Sequence, residues 1–556
     1  YPDLKDERFV SAFAIFHQRY STNTFPTWRL AQPFRMLAHN GEINTLKGNI
    51  NWMKNHEFKM ASELFGEHGD DIKPIIQAGG SDSAALDSVF EVLVRAGRAA
   101  PLAKTILIPE AWSKKASTMP DSHRAMYAYA NAVMEPWDGP AALAATDGRW
   151  VIAGMDRNGL RPQRYAITED GLLCTGSETG MVVLDERTVI RKGRVGPGQM
   201  IALDLEEGRF YEDREIKDKL ASEFPYAEWA KKIVELEPII GPGPEPRMFD
   251  RDGLRRRQVA AGMTLEDVEL ILHPMVEDGK EAVGSMGDDT PLAVLSEQYR
   301  PLSHFFRQNF SQVTNPPIDP LREERVMSLK TRFRNLGNVL AQDETQAEVF
   351  VLESPVISTG MMERMKDHLE GRFYEIDCVF EVRDGKPKDG NALARALDRI
   401  RNDAEDAVRQ GYNHLVLTDE RISNELAAIP MILATGAVHS HLVRQGLRTY
   451  TSLNVRSAEC FDTHYFAVLV GVGATTINAY LAQECIADRH ARGLFGKMAL
   501  GPCVKRYLDA VNAGLLKIMS KMGISVISSY RGAYNFEAVG LSRSMVAEIF
   551  PGMTSR

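Results

Sequence analysis

The chain has 556 residues, 44% hydrophobic and 25% charged, with a formal net charge of -9. This average globular composition excludes disorder, a collagen-like repeat and a coiled coil as the main theme, and the length predicts several domains, each able to bury a core. The acidic balance speaks against nucleic acid or an anionic membrane as the main partner, and no apolar run approaches the ~18–20 residues that a membrane helix needs.

In chain order, the first part, to about Leu236, reads as α+β rich in antiparallel strands. The stretch 81–97 predicts a helix, because Ser83, Leu86, Val89, Phe90 and Leu93 carry the 3.6-residue period behind an Asp/Ser cap. Between Ala141 and Leu205 short apolar runs alternate with Asp147-Gly148, Asn158-Gly159, Asp170-Gly171 and Gly196-Pro197-Gly198, the signature of hairpins. The segment from Glu237 to Pro246 holds four prolines and two glycines, and predicts an extended linker. Beyond it the texture becomes α/β. Apolar runs at 349–352, 414–417 and 465–470 read as strands. They alternate with helix-like stretches such as 392–410, where Leu393, Ala396, Leu397 and Ile400 share a face. Five cysteines, Cys174, Cys378, Cys460, Cys485 and Cys503, include no Cys-x-x-Cys pair. They point to reduced thiols in a cytosolic protein.

Three segments hold the densest chemistry. The first is His17-Gln18-Arg19-Tyr20-Ser21-Thr22-Asn23, where Arg19 presents a planar fork suited to a carboxylate. The second is Ala38-His39-Asn40-Gly41-Glu42-Ile43-Asn44-Thr45, where Asn40-Gly41 offers a side-chain amide and an open backbone N–H, the donors that an oxyanion hole needs. The third is Gly79-Gly80-Ser81-Asp82-Ser83, which sets the Asp82 carboxylate at a helix start, as a cap or as a holder of an ammonium. Read singly, each has a plainer explanation: a turn, a cap and a surface ion pair.

Taken in order, these segments resemble the class II (N-terminal-nucleophile) glutamine amidotransferases, and among them the glutamate synthase large subunit of the bacterial NADPH-dependent type. Gly284-Ser285-Met286-Gly287-Asp288-Asp289-Thr290-Pro291, Gln312-Val313-Thr314-Asn315-Pro316-Pro317-Ile318-Asp319-Pro320 and Ser520-Lys521-Met522-Gly523-Ile524-Ser525 resemble the central domain of that family. The resemblance implies an α+β glutaminase domain over 1–236, a linker over 237–247, and an α/β central domain with parallel strands over 248–556. It implies that Arg19 and Asp82 hold the α-carboxylate and α-ammonium of glutamine. Asn40 and Gly41 match the oxyanion pair, and Met286 and Thr314 become candidate walls of an ammonia tunnel, although Met286 also suits a core gap. FMN and a [3Fe-4S] centre are implied for a flavin barrel elsewhere in the large subunit. FAD, a [4Fe-4S] cluster and NADPH are implied for a small partner subunit, within a cytoplasmic oligomer.

The sequence departs from the family pattern in one respect. The glutaminase nucleophile is a cysteine at the mature N-terminus, whereas Tyr1 stands first here and Cys174 lies in a strand-like run that suits a core thiol. The reading is therefore of a segment that begins inside the glutaminase domain. Two alternatives stay open: another class II amidotransferase, and a catalytically silent scaffold or channel. Gly471-Val472-Gly473 imitates a phosphate loop after a strand, and His439-x-His441 imitates a metal pair, each without its remaining partners. The run Arg255-Arg256-Arg257 reads as a solvated helix face or an interdomain contact.

Overall fold

The computed structural model describes residues 2–21, 24–112, 118–282, 296–309, 317–333, 336–369, 371–384 and 386–556, and in it the chain divides into two units. The first takes residues 1–231 together with 318–326 and 338–347; the second takes 232–317, 327–337 and 348–556. The chain therefore leaves the first unit at Lys231 and returns to it twice.

In the first unit the strands are β1 (Leu37–Gly41), β2 (Ala141–Thr146), β3 (Trp150–Met155), β4 (Arg164–Thr168), β5 (Leu173–Gly176), β6 (Val189–Arg194), β7 (Met200–Asp204) and β8 (Arg209–Tyr211). They form two antiparallel sheets, β1-β2-β3-β7-β8 and β5-β4-β6. Side chains alternate across a strand. Thus Ala153 and Met155 of β3, with Ile201 and Val195, form a core cluster against which Tyr165 of β4 packs, whereas Gly154 faces Lys104. The helices of this unit include α1 (Leu46–His56), α2 (Asp82–Arg95), α3 (Ala100–Leu107), α4 (Asp121–Val133) and α5 (Asp213–Glu223). Helix α2 matches its sequence signal: Ser81 caps it by accepting from the Ala84 N–H at 3.1 Å, and Ser83, Leu86, Val89, Phe90 and Leu93 are buried.

Only two of the four turn signals close hairpins. Asp147-Gly148 joins β2 to β3 and Asp170-Gly171 joins β4 to β5. Asn158-Gly159 and Gly196-Pro197-Gly198 carry the chain from one sheet to the other. A tight turn reverses the chain in either case, and only the distant partner strand decides which sheet follows. The Pro/Gly stretch also departs from its extended reading. Glu237–Ile240 makes one helical turn with its proline in the first turn, where a missing N–H costs nothing. Just before it, Val234–Glu235 already pairs with Phe350–Leu352.

The second unit holds a parallel sheet of β9 (Phe373–Asp377), β10 (His414–Thr418), β11 (Ser452–Arg456) and β12 (Thr476–Asn478), paired in that order. Its crossovers run through α6 (Ala392–Arg409), α7 (Met431–Arg444) and α8 (Thr463–Gly471), and α9 (Tyr480–Ala491) follows β12. The α/β texture is thus correct, and α6 buries Ala396, Leu397 and Ile400 as its period requires. Two details are corrected. Residues 465–470 form helix α8 and not a strand: Asp462 caps it through the Tyr465 N–H at 2.7 Å. Burial on every side removes the polar period that separates helix from strand. The run 349–352 is a strand, but it pairs outside the parallel sheet, antiparallel to Thr331–Phe333. Gly471-Val472-Gly473 accordingly follows a helix and leads into β12.

Candidate functional site

Strand β1 is an edge of its sheet, so one row of its N–H and C=O groups needs partners from elsewhere. Helix α2 and Gln32 supply them, and α2 also holds the backbone just before and just after the strand. Asp87 accepts from the Met36 N–H at 2.9 Å and the Leu37 N–H at 3.0 Å with one oxygen, and from the Arg35 N–H at 3.2 Å with the other. Gln32 brackets His39, accepting from its N–H at 2.7 Å and donating to its carbonyl at 3.0 Å. Ser83 meets the His39 Nδ1 at 2.8 Å, and the Asp82 Oδ2 accepts from the Ile43 N–H at 2.8 Å. Burial pushes the Asp87 carboxyl above the usual carboxylate range, against the pull of its three N–H donors.

At the end of β1, Gly41 pairs with Ala141. A Cβ at position 41 would lie 1.7 Å from the Pro140 carbonyl oxygen, and one at position 139 would lie 2.0 Å from the Glu42 carbonyl oxygen. Two stretches of backbone touch here, which only glycine permits. Asn40 and Asp82 are half-buried beside this contact. Asp82 also accepts from the Ser83 N–H at 2.8 Å, a carboxylate at a helix N-terminus where the macrodipole favours it.

The three sequence segments converge electrostatically on His39. Burial holds this imidazole below its ordinary value; Asp82 pulls it upward, while Arg161 and His17 add to the depression. Arg19 is exposed, and among the described residues its guanidinium forms no ion pair. Its backbone closes a turn on His17, whose Nδ1 lies 2.8 Å from the Arg19 carbonyl oxygen. Asp82 and Asn40-Gly41 therefore share one sheet edge. Met286 and Thr314 lie outside the described residues.

Residues that the motifs did not single out complete the surroundings. Arg157 and Asp138 form an ion pair with Nε–Oδ1 at 3.1 Å and side chains 5% and 3% exposed. Deeper in the same unit, Lys217 lies 2.7 Å from both Glu110 and Asp213, and both Lys104 and Lys217 donate to the Gly198 carbonyl at 3.4 Å. Burial, reinforced by Lys217, brings the Lys104 ammonium down to about 7. Only the Asn158-Gly159 turn signal marked the neighbourhood of Arg157. Lys104 carries no local signature, since its Gly198 partner lies far along the chain, whereas Lys217 pairs both with Asp213 one helical turn before it and with the distant Glu110.

In the second unit the carboxyl ends of the parallel strands carry their own charge cluster. Asp419 accepts from the Ala458 N–H at 3.1 and 3.0 Å, and burial pushes its carboxyl up to about 7. Arg456 pairs with Glu420 at 3.0 Å and with Glu363, and stacks over Tyr480. Arg257 covers the same ring and meets Glu484 at 3.2 Å, whereas Arg255 and Arg256 are exposed. The histidine pair separates: His439 accepts from the Arg448 Nε at 2.9 Å and His441 lies 2.7 Å from Glu405. Cys378, Cys460, Cys485 and Cys503 are buried, and Cys174, on an edge strand, is half-buried. Among the described residues no cluster of three or more His, Cys, Asp or Glu side chains is arranged to hold a metal, and no helix is long and apolar enough to cross a membrane.

Comparison with known proteins agrees with both units. Residues 1–229 match the class-II glutamine amidotransferase family, and residues 256–542 match the glutamate synthase central domain. The NADPH glutamate synthase large chain of Azospirillum brasilense is 64% identical over 559 residues, covering 100% of this chain and 37% of the relative. The corresponding Bacillus subtilis chain is 44% identical, covering 100% and 36%, and the ferredoxin-dependent chloroplastic glutamate synthase of Spinacia oleracea is 43% identical, covering 100% and 35%. The chain thus spans just over a third of the length of these relatives. The central-domain match also decides against an amidotransferase of another kind. With a class II glutamine amidotransferase domain followed by a glutamate synthase central domain, this chain belongs to the glutamate synthase family.

Proposed function

We propose that the first unit binds and hydrolyses glutamine, and that the central domain conducts the released ammonia toward a flavin site of the same large subunit, where 2-oxoglutarate is converted to glutamate. The observation that supports this most is the hydrogen bond from the Ile43 N–H to Asp82, which ties the proposed ammonium holder to the segment just after Asn40-Gly41. A zwitterionic amide needs one cation, one anion and two neutral donors. Arg19 would take the α-carboxylate and Asp82 the α-ammonium. The Asn40 side-chain amide and the Gly41 N–H would stabilise the oxyanion, each such donor being worth about 3–4 kcal/mol in the transition state. The attacking group in this class is a cysteine at the processed N-terminus, with its own α-amine as base.

Within this reading the amidotransferase domain covers 1–236 and the central domain 248–556, with Met286 and Thr314 on the tunnel wall. A closed passage would keep ammonia neutral and out of bulk water. FMN, which supplies the reducing electrons, and the [3Fe-4S] centre belong to another part of the large subunit. FAD, [4Fe-4S] and NADPH belong to the small subunit of a cytoplasmic oligomer.

The test is Asp82→Ala in the full-length protein. Glutamine-dependent synthesis is expected to fall by at least about tenfold through a raised KM, as loss of a charge-assisted contact implies. Ammonia-dependent synthesis should stay near wild type. Equal loss of both activities would refute the role of Asp82, and a wild type without glutamine hydrolysis would favour the silent-scaffold alternative.

A further inference from the structure

The ladder between β1 and β2 ends at Gly41 and Ala141. Beyond it, residues 42–45 run beside 136–140 on a few individual bonds. The Glu42 N–H donates to the Pro140 carbonyl at 2.9 Å, the Thr45 N–H to the Asp138 carbonyl at 3.3 Å, and the Asp138 N–H to the Thr45 Oγ1 at 2.9 Å. The strip 136–141 is gripped on its other side by the turn that starts at Asp156. The Asp156 N–H donates to the Ala141 carbonyl at 2.9 Å, and its Oδ2 accepts from the Ala141 N–H at 2.9 Å. Its second oxygen accepts from the Asn158 and Gly159 N–H groups at 2.8 and 2.9 Å, which fixes the turn itself. The next residue, Arg157, holds Asp138 through the buried ion pair. Two consecutive residues therefore pin positions 138 and 141, which frame Gly139-Pro140, the backbone against which Gly41 and Glu42 lie in direct contact.

A buried ion pair is a weak source of stability, because desolvation offsets much of its attraction. What it does provide is a fixed geometry, and oxyanion donors act only when held in place before the charge develops. We propose that the Asp138–Arg157 ion pair is the positioning device of the oxyanion segment, setting Asn40 and Gly41 through Thr45 and the Gly139-Pro140 backbone. It rests on the glutamine-hydrolysis reading and adds to it residues that touch no substrate. Arg19 sits in a separate turn with His17, and Asp82 is anchored at the start of α2 and by the Ser83 N–H as well as by the Ile43 N–H, so turnover should fall far more than substrate affinity.

The test uses the full-length protein carrying either Arg157→Lys or the neutral pair Asp138→Asn/Arg157→Gln. In the neutral pair the kcat for glutamine hydrolysis is expected to fall about 10- to 100-fold, as a displacement of about 1 Å at a reacting centre implies. The KM for glutamine should stay within about twofold and ammonia-dependent synthesis should be unchanged. Arg157→Lys, which keeps the charge but loses the planar fork, should lie between the neutral pair and wild type. An unchanged kcat, a loss carried by KM, or a neutral pair that no longer folds by circular dichroism would each overturn the positioning role. A wild type that does not hydrolyse glutamine would overturn the parent reading and this inference together, whereas an active wild type with unaffected variants would overturn the inference alone.

Discussion

Asp82 stands where two demands meet. As the first residue of α2 it gains from the helix dipole, and its two oxygens already take the Ser83 and Ile43 N–H groups. In the proposed role an ammonium approaching from the open side would add to these donors, and the two backbone bonds fix the carboxylate's orientation without it. Gly41 and Gly139 show the same economy of space, each excluded from carrying a side chain by a facing carbonyl. Lys104 is the residue whose protonation is most exposed to test. Its folded value of about 7 lies below the ordinary 10.5, so between those limits the folded state binds fewer protons than the unfolded one. Stability from this group therefore rises as pH climbs from about 7 to 10.5, and its penalty is fully present below 7. Lys217 stays charged across that window: burial lowers it, but the paired Asp213 and Glu110 carboxylates outweigh burial and hold it above its ordinary value. Lys104→Met should accordingly be more stable than wild type at pH 7 by a few kcal/mol. Urea melts should show that advantage shrinking toward pH 10. A difference that does not vary with pH would mean that Lys104 keeps its proton.

Helix α2 holds the backbone at the two ends of the β1 edge, and this is a property of the element more than of any one residue. Its carboxylates at 82 and 87, with Ser83 between, meet the backbone at Ile43, at Arg35, Met36 and Leu37, and the His39 ring. Edge strands left bare invite pairing with other chains, and a helix carrying acceptors is one remedy. Asp87→Ala leaves three backbone N–H groups without their acceptor and should cost about 2–4 kcal/mol. Amide exchange at Met36 and Leu37 should rise in step, and unchanged protection there would show that water replaces the carboxylate at little cost. The contrast with α8 explains what could be read locally. Helix α2 has a cap and one buried face, so its 3.6-residue period is visible in the residues. Helix α8 is buried all round, the period vanishes, and β-branched valines at 468 and 470 point to the wrong element.

At the scale of the whole chain, the first unit is completed by the segments 318–326 and 338–347, which follow a long excursion into the second unit. The Arg98 guanidinium donates to the carbonyls of Val339 and Ala341, both at 2.8 Å, and to that of Leu340 at 3.3 Å. The Tyr129 hydroxyl donates to the Asp343 carbonyl at 2.9 Å. Burial brings Arg98 down to about 10, so these acceptors matter to a charge that has left water. A polypeptide ending at residue 231 keeps Arg98 and Tyr129 but lacks the three acceptors of the first and the one of the second. It should melt about 5 °C or more below the same unit in the full chain, and Arg98→Ala in the full chain should reproduce part of the loss. Equal melting temperatures would show that the returning segments contribute nothing to the first unit.

What the amino-acid sequence determined by itself was everything encoded at short range: the capped amphipathic helices, the reversal points at Asx-Gly, the change of texture after Leu236, and the motif segments whose family resemblance the comparisons bear out. Only the tertiary structure decided which reversals close hairpins and which change sheets, that residues 465–470 coil, and that 338–347 belongs with residues 1–231. The Asp138–Arg157 pair is of the second kind, since its two members come from separate segments of the chain. The physical reason is the range of the forces. Dihedral preference and hydrogen bonding to near neighbours act within a few residues, whereas strand partners, buried charges and backbone-to-backbone contacts at Gly41 and Gly139 exist only once distant segments have excluded water between them.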